Sequence, residues 1–192
     1  MRRLFQIAIL AAGLDYVSKM LILNVVQLPL VGRIEVVPPF LNFHMAWNYG
    51  VNFGLFAHDS PWTRWVLIAI AVGVSVFIAY WAWKERFGPW AQVFAGLLIG
   101  GALGNAYDRI RYGAVVDFLN TSCCGIQNPY AFNVADIFIF VGALGLAIGP
   151  PPHHDGGPRC CFALLLGPKQ WRLHEIRSCF WDHWLNDAKR VF

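Results

Sequence analysis

Residues 96–109 read Gly-Leu-Leu-Ile-Gly-Gly-Ala-Leu-Gly-Asn-Ala-Tyr-Asp-Arg, and this stretch contains the pattern that decides the fold. Its glycines recur every four residues, at Gly96, Gly100 and Gly104. That spacing places them on one face of a helix, where a second helix can approach closely. Asn105 and Arg109 continue this face towards the end of the helix, next to Asp108. The stretch therefore predicts a tightly packed apolar helix with polar groups at one end.

The composition of the whole chain is that of a membrane protein. Of its 192 residues, 57% are hydrophobic and only 14% are charged, whereas about a quarter of the residues are charged in an ordinary soluble domain. The 9 Trp and 15 Phe residues suit membrane interfaces, where aromatic rings anchor helices. The formal net charge of +4 is modest and the Lys and Arg residues form no stripe, so we expect no nucleic-acid partner.

Four apolar stretches are each close to the roughly 20 residues that cross a bilayer, at residues 4–26, 65–83, 90–107 and 132–149. Lys and Arg concentrate before the first stretch, between the second and third, and after the fourth, so both termini are expected in the cytoplasm. The alternating residues of the outer segment, 27–64, are typical of short strands. The predicted fold is an all-α polytopic membrane protein, with four transmembrane helices and a small periplasmic β element.

The composition changes abruptly at Pro150, which divides the chain into two parts. Residues 1–149 form the predicted membrane domain, and residues 150–192 are predicted to be a cytoplasmic tail of unknown role. A translated frameshift is one explanation for this tail. Its His and Cys residues lack the paired spacing of metal ligands, so we predict no metal site. The chain has 5 Cys residues, and this odd number does not indicate a disulfide framework.

Charged residues interrupt the apolar stretches, where each costs about 2.5–3.5 kcal/mol on insertion scales and therefore needs a partner or a function. Asp15 and Lys19 lie four residues apart on the first helix, a spacing that permits a structural ion pair. Asp117 follows the third apolar stretch, and Asp136 lies one turn into the fourth helix. The predicted topology places both of these acids near the outer face of the membrane.

Two carboxyl groups held close together share a proton, because both cannot ionise easily. Such a pair can activate water and protonate a leaving amine, which is peptide hydrolysis without a metal or a nucleophilic side chain. The same residues also fit a small proton- or ion-coupled transporter, or a scaffold in which the charges pair structurally. A transporter more naturally has internal repeats or broken helices near the midplane, whereas this sequence shows no repeat and its acids cluster at one interface.

Five blocks of the sequence together resemble the lipoprotein signal peptidase (signal peptidase II) family. They occur in order within residues 1–149 and are Asp15–Lys19, Asn48–Gly54, Gly100–Arg109, Val115–Phe118 and Phe132–Asp136. The resemblance implies a bacterial inner-membrane aspartic endopeptidase that needs no cofactor. Such enzymes cut prolipoproteins immediately before a cysteine that carries diacylglycerol.

By match of motif, Asp117 and Asp136 are the implied catalytic pair. The residues implied to line or support the site are Asn48, Gly50, Asn105, Arg109 and Asn133, with Asp15 and Lys19 behind them. Asp108 is expected to pair with Arg109 and is the main rival for a catalytic role. The expected partners are diacylglyceryl-modified prolipoproteins, membrane lipid and a globomycin-type inhibitor, and a monomer is sufficient. Tyr16 and residues 51–52 depart from the family pattern, which affects the expected substrate fit.

Overall fold

The computed structural model describes residues 1–38, 40–50, 61–122 and 128–148. The predicted tail, all five cysteines and residues 51–54 of the second block lie outside this part of the chain. Within the described residues, nine regular elements follow one another: α1 (Arg2–Met20), a π-helical turn (Leu21–Val25), α2 (Leu28–Val31), β1 (Arg33–Val37), β2 (Leu41–Asn48), α3 (Pro61–Lys84), α4 (Pro89–Tyr112), β3 (Val115–Thr121) and α5 (Val134–Ile148).

Each of the four predicted apolar stretches is helical within the described residues, as α1 with its π-helical turn, α3, α4 and α5. In length and composition, two helical segments of this part of the chain are suited to crossing a membrane, namely Arg2–Val25 and Trp62–Lys84. The segment Val134–Ile148 is apolar but shorter. The chain thus combines apolar helices with a small sheet, while the passage of all four helices through a membrane stays a prediction.

Helix α4 is the central element, because it packs against α1, α3 and α5. Pro89 favours its first turn, and Gly113, with a φ of +82°, ends it by donating its N–H to the carbonyl of Arg109 at 3.1 Å. The glycine face of α4 does contact a second helix, as predicted. A Cβ atom on Gly100 would lie 2.5 Å from the carbonyl oxygen of Ala8 and 2.7 Å from Cβ of Ala11, both in α1.

Gly100→Ala is expected to lower the free energy of unfolding by about 1–3 kcal/mol, because the added methyl group forces the α1 and α4 backbones apart. The measurement is the unfolding midpoint of the purified protein in detergent. Gly13→Ala in α1 is the matched control, since a Cβ atom there meets nothing within 4 Å in the described structure. Equal midpoints for the two variants would show that the close approach of α1 and α4 contributes nothing.

The three strands form one antiparallel sheet in the order β1–β2–β3. The strands predicted within residues 27–64 are present as β1 and β2. Strand β3 was not predicted, because its residues are buried almost throughout and their apolar run shows no alternation. One face of β3 packs Val116 and Phe118 against Ile22 and Leu28. The alternation of side chains along a strand then turns Asp117 to the opposite face.

Candidate active site

The start of α5 is fixed by a reciprocal pair of hydrogen bonds between Asn133 and Asp136. Oδ1 of Asn133 accepts the backbone N–H of Asp136 at 2.9 Å, and Oδ2 of Asp136 accepts the backbone N–H of Asn133 at 3.2 Å. This is the geometry of a capping box, in which a side chain before the helix and one three residues later satisfy each other's N–H groups. Asp136 is the third residue of α5, whereas the sequence predicted it one full turn into the helix.

Two asparagine amides connect the predicted acids. Nδ2 of Asn133 donates to Oδ1 of Asp117 at 2.6 Å and to Oδ1 of Asn105 at 3.1 Å. Nδ2 of Asn105 then donates to Oδ1 of Asp136 at 2.8 Å. Because Asn133 touches both acids and Asn105 touches Asn133 and Asp136, the four side chains form one connected cluster. The fold thus brings together residues from α4, β3 and the start of α5.

The second oxygen of Asp117 is held from strand β2. Nδ2 of Asn48 donates to Oδ2 of Asp117 at 3.0 Å, and Oδ1 of Asn48 accepts the N–H of Gly50 at 2.9 Å. Gly50 has a φ of +103°, which favours glycine. A Cβ atom there would clash with the Leu67 side chain and lie 3.7 Å from Nη2 of Arg109. A residue with a side chain at position 50 would therefore have a strained backbone and would displace Leu67.

The prediction that Asp108 pairs with Arg109 is wrong. Oδ2 of Asp108 lies 2.7 Å from Nζ of Lys19 and accepts the N–H of Val116 at 3.3 Å. Adjacent residues of a helix point about 100° apart, so Asp108 meets α1 while Arg109 lies on another side of α4. The guanidinium of Arg109 donates from Nη1 to the carbonyl of Asn105 at 3.2 Å, and its buried Nε has no hydrogen-bond partner in the described part of the chain.

The predicted pair of Asp15 and Lys19 is confirmed, with 2.7 Å between Oδ2 and Nζ. Gly104 provides room for it, because a Cβ atom there would lie 2.7 Å from the Asp15 carboxylate. Lys19 also donates to Oδ1 of Asn105 at 3.1 Å. The ion pair therefore extends to Asp108 as a triad and touches the acid cluster through Asn105, a connection that spacing along the chain does not indicate.

Burial makes the carboxyl group of Asp117 easier to protonate than an ordinary aspartate. Burial raises the pKa of Asp117 to about 6, and the charge of Asp136 raises it further, while hydrogen bonds from Asn48 and Asn133 and the charge of Lys19 oppose this shift. Asp117 is only 2% exposed. A pair of carboxyl groups that share a proton can take a proton from water and give one to a leaving group. No group of three His, Cys, Asp or Glu residues in the described ranges is arranged to hold a metal ion.

The sequence is similar to those of one family of known proteins. The profile of the "Signal peptidase (SPase) II" family matches residues 7–149. The chain is 39% identical over 142 residues to a "Lipoprotein signal peptidase" of Nitrobacter hamburgensis, covering 72% of this chain and 85% of the relative. It is 38% identical over 141 residues to a "Lipoprotein signal peptidase" of Polynucleobacter necessarius, covering 73% and 84%.

Two solved structures described as bacterial membrane enzymes have a similar fold. The first, solved at 1.9 Å by the in meso method, superposes with a TM-score of 0.66 at 29% identity, covering 77% of this chain and 92% of that structure. The second, solved at 2.3 Å, gives a TM-score of 0.63 at 27% identity, covering 90% and 96%.

Proposed function

The chain belongs to the signal peptidase II family of aspartic peptidases, which remove signal peptides from prolipoproteins, and from this premise we propose its specific reaction and catalytic residues. It cleaves the signal peptide immediately before a diacylglyceryl-modified cysteine, with Asp117 and Asp136 as the catalytic pair. The observation that carries the assignment is that Asn133 joins the two acids. Its side-chain amide donates to the carboxylate of Asp117, and its backbone N–H donates to the carboxylate of Asp136. No other two acids in the described residues are joined through a single asparagine.

The proposed mechanism uses the single proton of the pair. The ionised carboxylate takes a proton from a water molecule, whose oxygen attacks the carbonyl carbon of the scissile peptide bond. The protonated carboxyl group gives its proton to the carbonyl oxygen as the tetrahedral intermediate forms. Collapse of the intermediate then breaks the C–N bond: the leaving amine takes the proton of the protonated acid, and a hydroxyl group of the intermediate returns its proton to the ionised acid. Atoms and charge balance with no group beyond water and the two acids.

The remaining predicted site residues receive supporting roles in this proposal. Asn48, Asn105 and Asn133 hold the acids by the hydrogen bonds that they donate to them. Arg109 positions the backbone of the substrate. This role is supported by the buried Nε–H of its guanidinium, which has no hydrogen-bond partner in the described ranges. A buried unsatisfied donor is costly, and a substrate carbonyl would relieve that cost.

The proposal also covers the setting of the enzyme. All four long helices cross the bacterial inner membrane, with both termini in the cytoplasm and the acid cluster near the periplasmic face. The two apolar segments that are long enough to span a bilayer support this arrangement. Because residues from a single chain form the cluster, a monomer is sufficient. Membrane lipid surrounds the helices, and a globomycin-type inhibitor is expected to bind across the acids.

A cleavage assay tests the proposed function. The purified protein in detergent is given a prolipoprotein with a diacylglyceryl-modified cysteine and, in parallel, the same precursor with an unmodified cysteine. We expect release of the signal peptide from the modified precursor alone, detected as a gel shift and by mass spectrometry of the new amino terminus. Cleavage of both precursors would refute the lipid requirement. If neither precursor is cleaved, the proposed function is refuted, and the buried charges must be explained by transport or by a structural role.

Asn48→Ala is expected to move the pH profile of cleavage. The Asn48 amide donates to the Asp117 carboxylate and lowers its pKa, so removal of this donor destabilises the ionised form and raises the pKa above about 6. The limb of the kcat/KM profile that lies near pH 6 should therefore shift to higher pH, because kcat/KM reports the free enzyme. Asn24→Ala, at an exposed asparagine of the π-helical turn, is the control. A shift to lower pH would contradict the assignment.

A further inference from the structure

Each proposed catalytic acid is preceded by a residue whose backbone N–H donates to a carboxylate outside the catalytic pair. The N–H of Ala135 donates to Oδ1 of Asp15 at 3.0 Å. The N–H of Val116 donates to Oδ2 of Asp108 at 3.3 Å. Asp15 and Asp108 thus hold the two backbone segments that carry Asp136 and Asp117.

Lys19 joins these two carboxylates. Its Nζ atom lies 2.7 Å from Oδ2 of Asp15 and 2.7 Å from Oδ2 of Asp108, and its side chain is 1% exposed. The third contact of Nζ is the donation to Oδ1 of Asn105 at 3.1 Å. A lysine ammonium has three donors, so all three are used, and one of them faces the acid cluster.

The contact with Asn105 determines which way its amide points. Oδ1 of Asn105 accepts from Lys19 and from Asn133, so Nδ2 is the atom that faces Asp136, at 2.8 Å. In the reversed orientation Oδ1 would face the Asp136 carboxylate, and two acceptors would meet without a proton between them. Nδ2 would at the same time face the Lys19 ammonium, a donor against a donor. The ammonium therefore favours one of the two orientations.

We propose that Lys19 is a positioning residue for the cleavage reaction. It acts through Asn105, whose amide it holds so that Nδ2 donates to Asp136, although Lys19 itself contacts neither catalytic acid. This inference rests on the proposed function. A purely structural role of the ion triad would make Lys19 important for folding alone. A positioning role makes the effect of Lys19 on the cleavage rate depend on the presence of Asn105.

A double-mutant cycle between Lys19 and Asn105 tests the inference. Lys19→Met alone leaves two carboxylates without a counter-charge, so the cycle is made in an Asp108→Asn background. There the amide oxygen can still accept the N–H of Val116, and Asp15 still neutralises Lys19. The four proteins are this background, the background with Lys19→Met, the background with Asn105→Ala, and the background with both changes. Each is tested for kcat and KM on the diacylglyceryl-modified precursor.

Adding Lys19→Met to the background is expected to lower kcat by about 10- to 100-fold, the range for loss of a hydrogen bond to a charged group. KM should change little, because Lys19 does not face the substrate. The values of kcat are compared on the pH plateau, where the effect of the Lys19 charge on the pKa of Asp117 does not enter. In the presence of Asn105→Ala, the same Lys19 change should then have almost no further effect on kcat. Losses that simply multiply would overturn the inference, since Lys19 would then act independently of Asn105.

Two further observations keep the test decisive. If the Lys19→Met protein does not fold in the first background, the cycle is repeated with Asp15→Asn in place of Asp108→Asn. Failure of both to fold would also overturn the inference, because Lys19 would then be needed for the fold itself. Cleavage by the wild-type chain is measured alongside. An inert wild type would refute the proposed function, whereas an active wild type with multiplying losses would refute only the role of Lys19.

Discussion

Asp117→Asn and Asp136→Asn are each expected to lower kcat by at least about a thousandfold, because general acid–base catalysis contributes about 10²–10⁴ and each acid serves in two proton transfers. A neutral amide can neither take a proton from water nor give one to the leaving amine. The change is nearly isosteric, and the amide oxygen can still accept one of the N–H donors that surround each acid. The loss should therefore appear in kcat, with a folded protein and a KM close to that of the wild type.

Glu35→Gln provides the matched control, since it also changes an acid to an amide but at an exposed position of β1. We expect its cleavage rate to stay within about twofold of the wild type, as for most surface changes. Rates are compared in single-turnover cleavage of the diacylglyceryl-modified precursor. A folded Asp117→Asn or Asp136→Asn protein that cleaves at the wild-type rate would remove that acid from the mechanism and would direct attention to Asp108.

Lys19→Met is expected to produce the largest loss of stability, about 3–5 kcal/mol in the free energy of unfolding, as observed when one partner of a buried ion pair is removed. Lys19 provides the positive charge between Asp15 and Asp108, and all three side chains are almost completely buried. Without the ammonium, two carboxylates face each other in an environment with little water. Combining Lys19→Met with Asp108→Asn should recover part of the loss, because one of the two uncompensated charges is removed.

The measurement is the denaturation midpoint of each variant in the same detergent. Lys84→Met is the matched control, since it removes a lysine from the exposed end of α3 and should change stability by no more than about 0.5 kcal/mol. A Lys19→Met protein as stable as the wild type would show that the triad does not contribute to stability. A double variant less stable than Lys19→Met alone would show that the charge of Asp108 is not what destabilises the single variant.

The local elements of this protein could be predicted because their causes are local. An apolar run of about 20 residues must satisfy its backbone internally in lipid, which makes it a helix wherever it lies. The glycine spacing of residues 96–104 predicted a close helix contact, and α1 provides it. Asn133 and Asp136 are three residues apart, and this spacing also produces the capping box that holds Asp136.

Strand β3 could not be predicted from the local sequence pattern. Its residues, Val115–Thr121, are buried almost throughout, because one face packs on the π-helical turn and α2 while the other carries Asp117 into the acid cluster. A strand that is covered on both faces loses the alternation that identifies strands in a sequence. Its pairing with β2 positions Asp117 opposite Ala46, and that register depends on residues about 70 positions apart along the chain.

The sequence by itself determined the helices, the glycine face and the positions of the acids in or beside the apolar segments, because each depends on residue types at fixed spacing along one segment. Only the tertiary structure decided the partners of those acids. Asp108 and Arg109 are neighbours in the chain, yet the helix turns them about 100° apart and Asp108 finds its counter-charge on α1. Spacing fixes the direction of a side chain from its own helix, whereas the packing of helices determines which group it meets there.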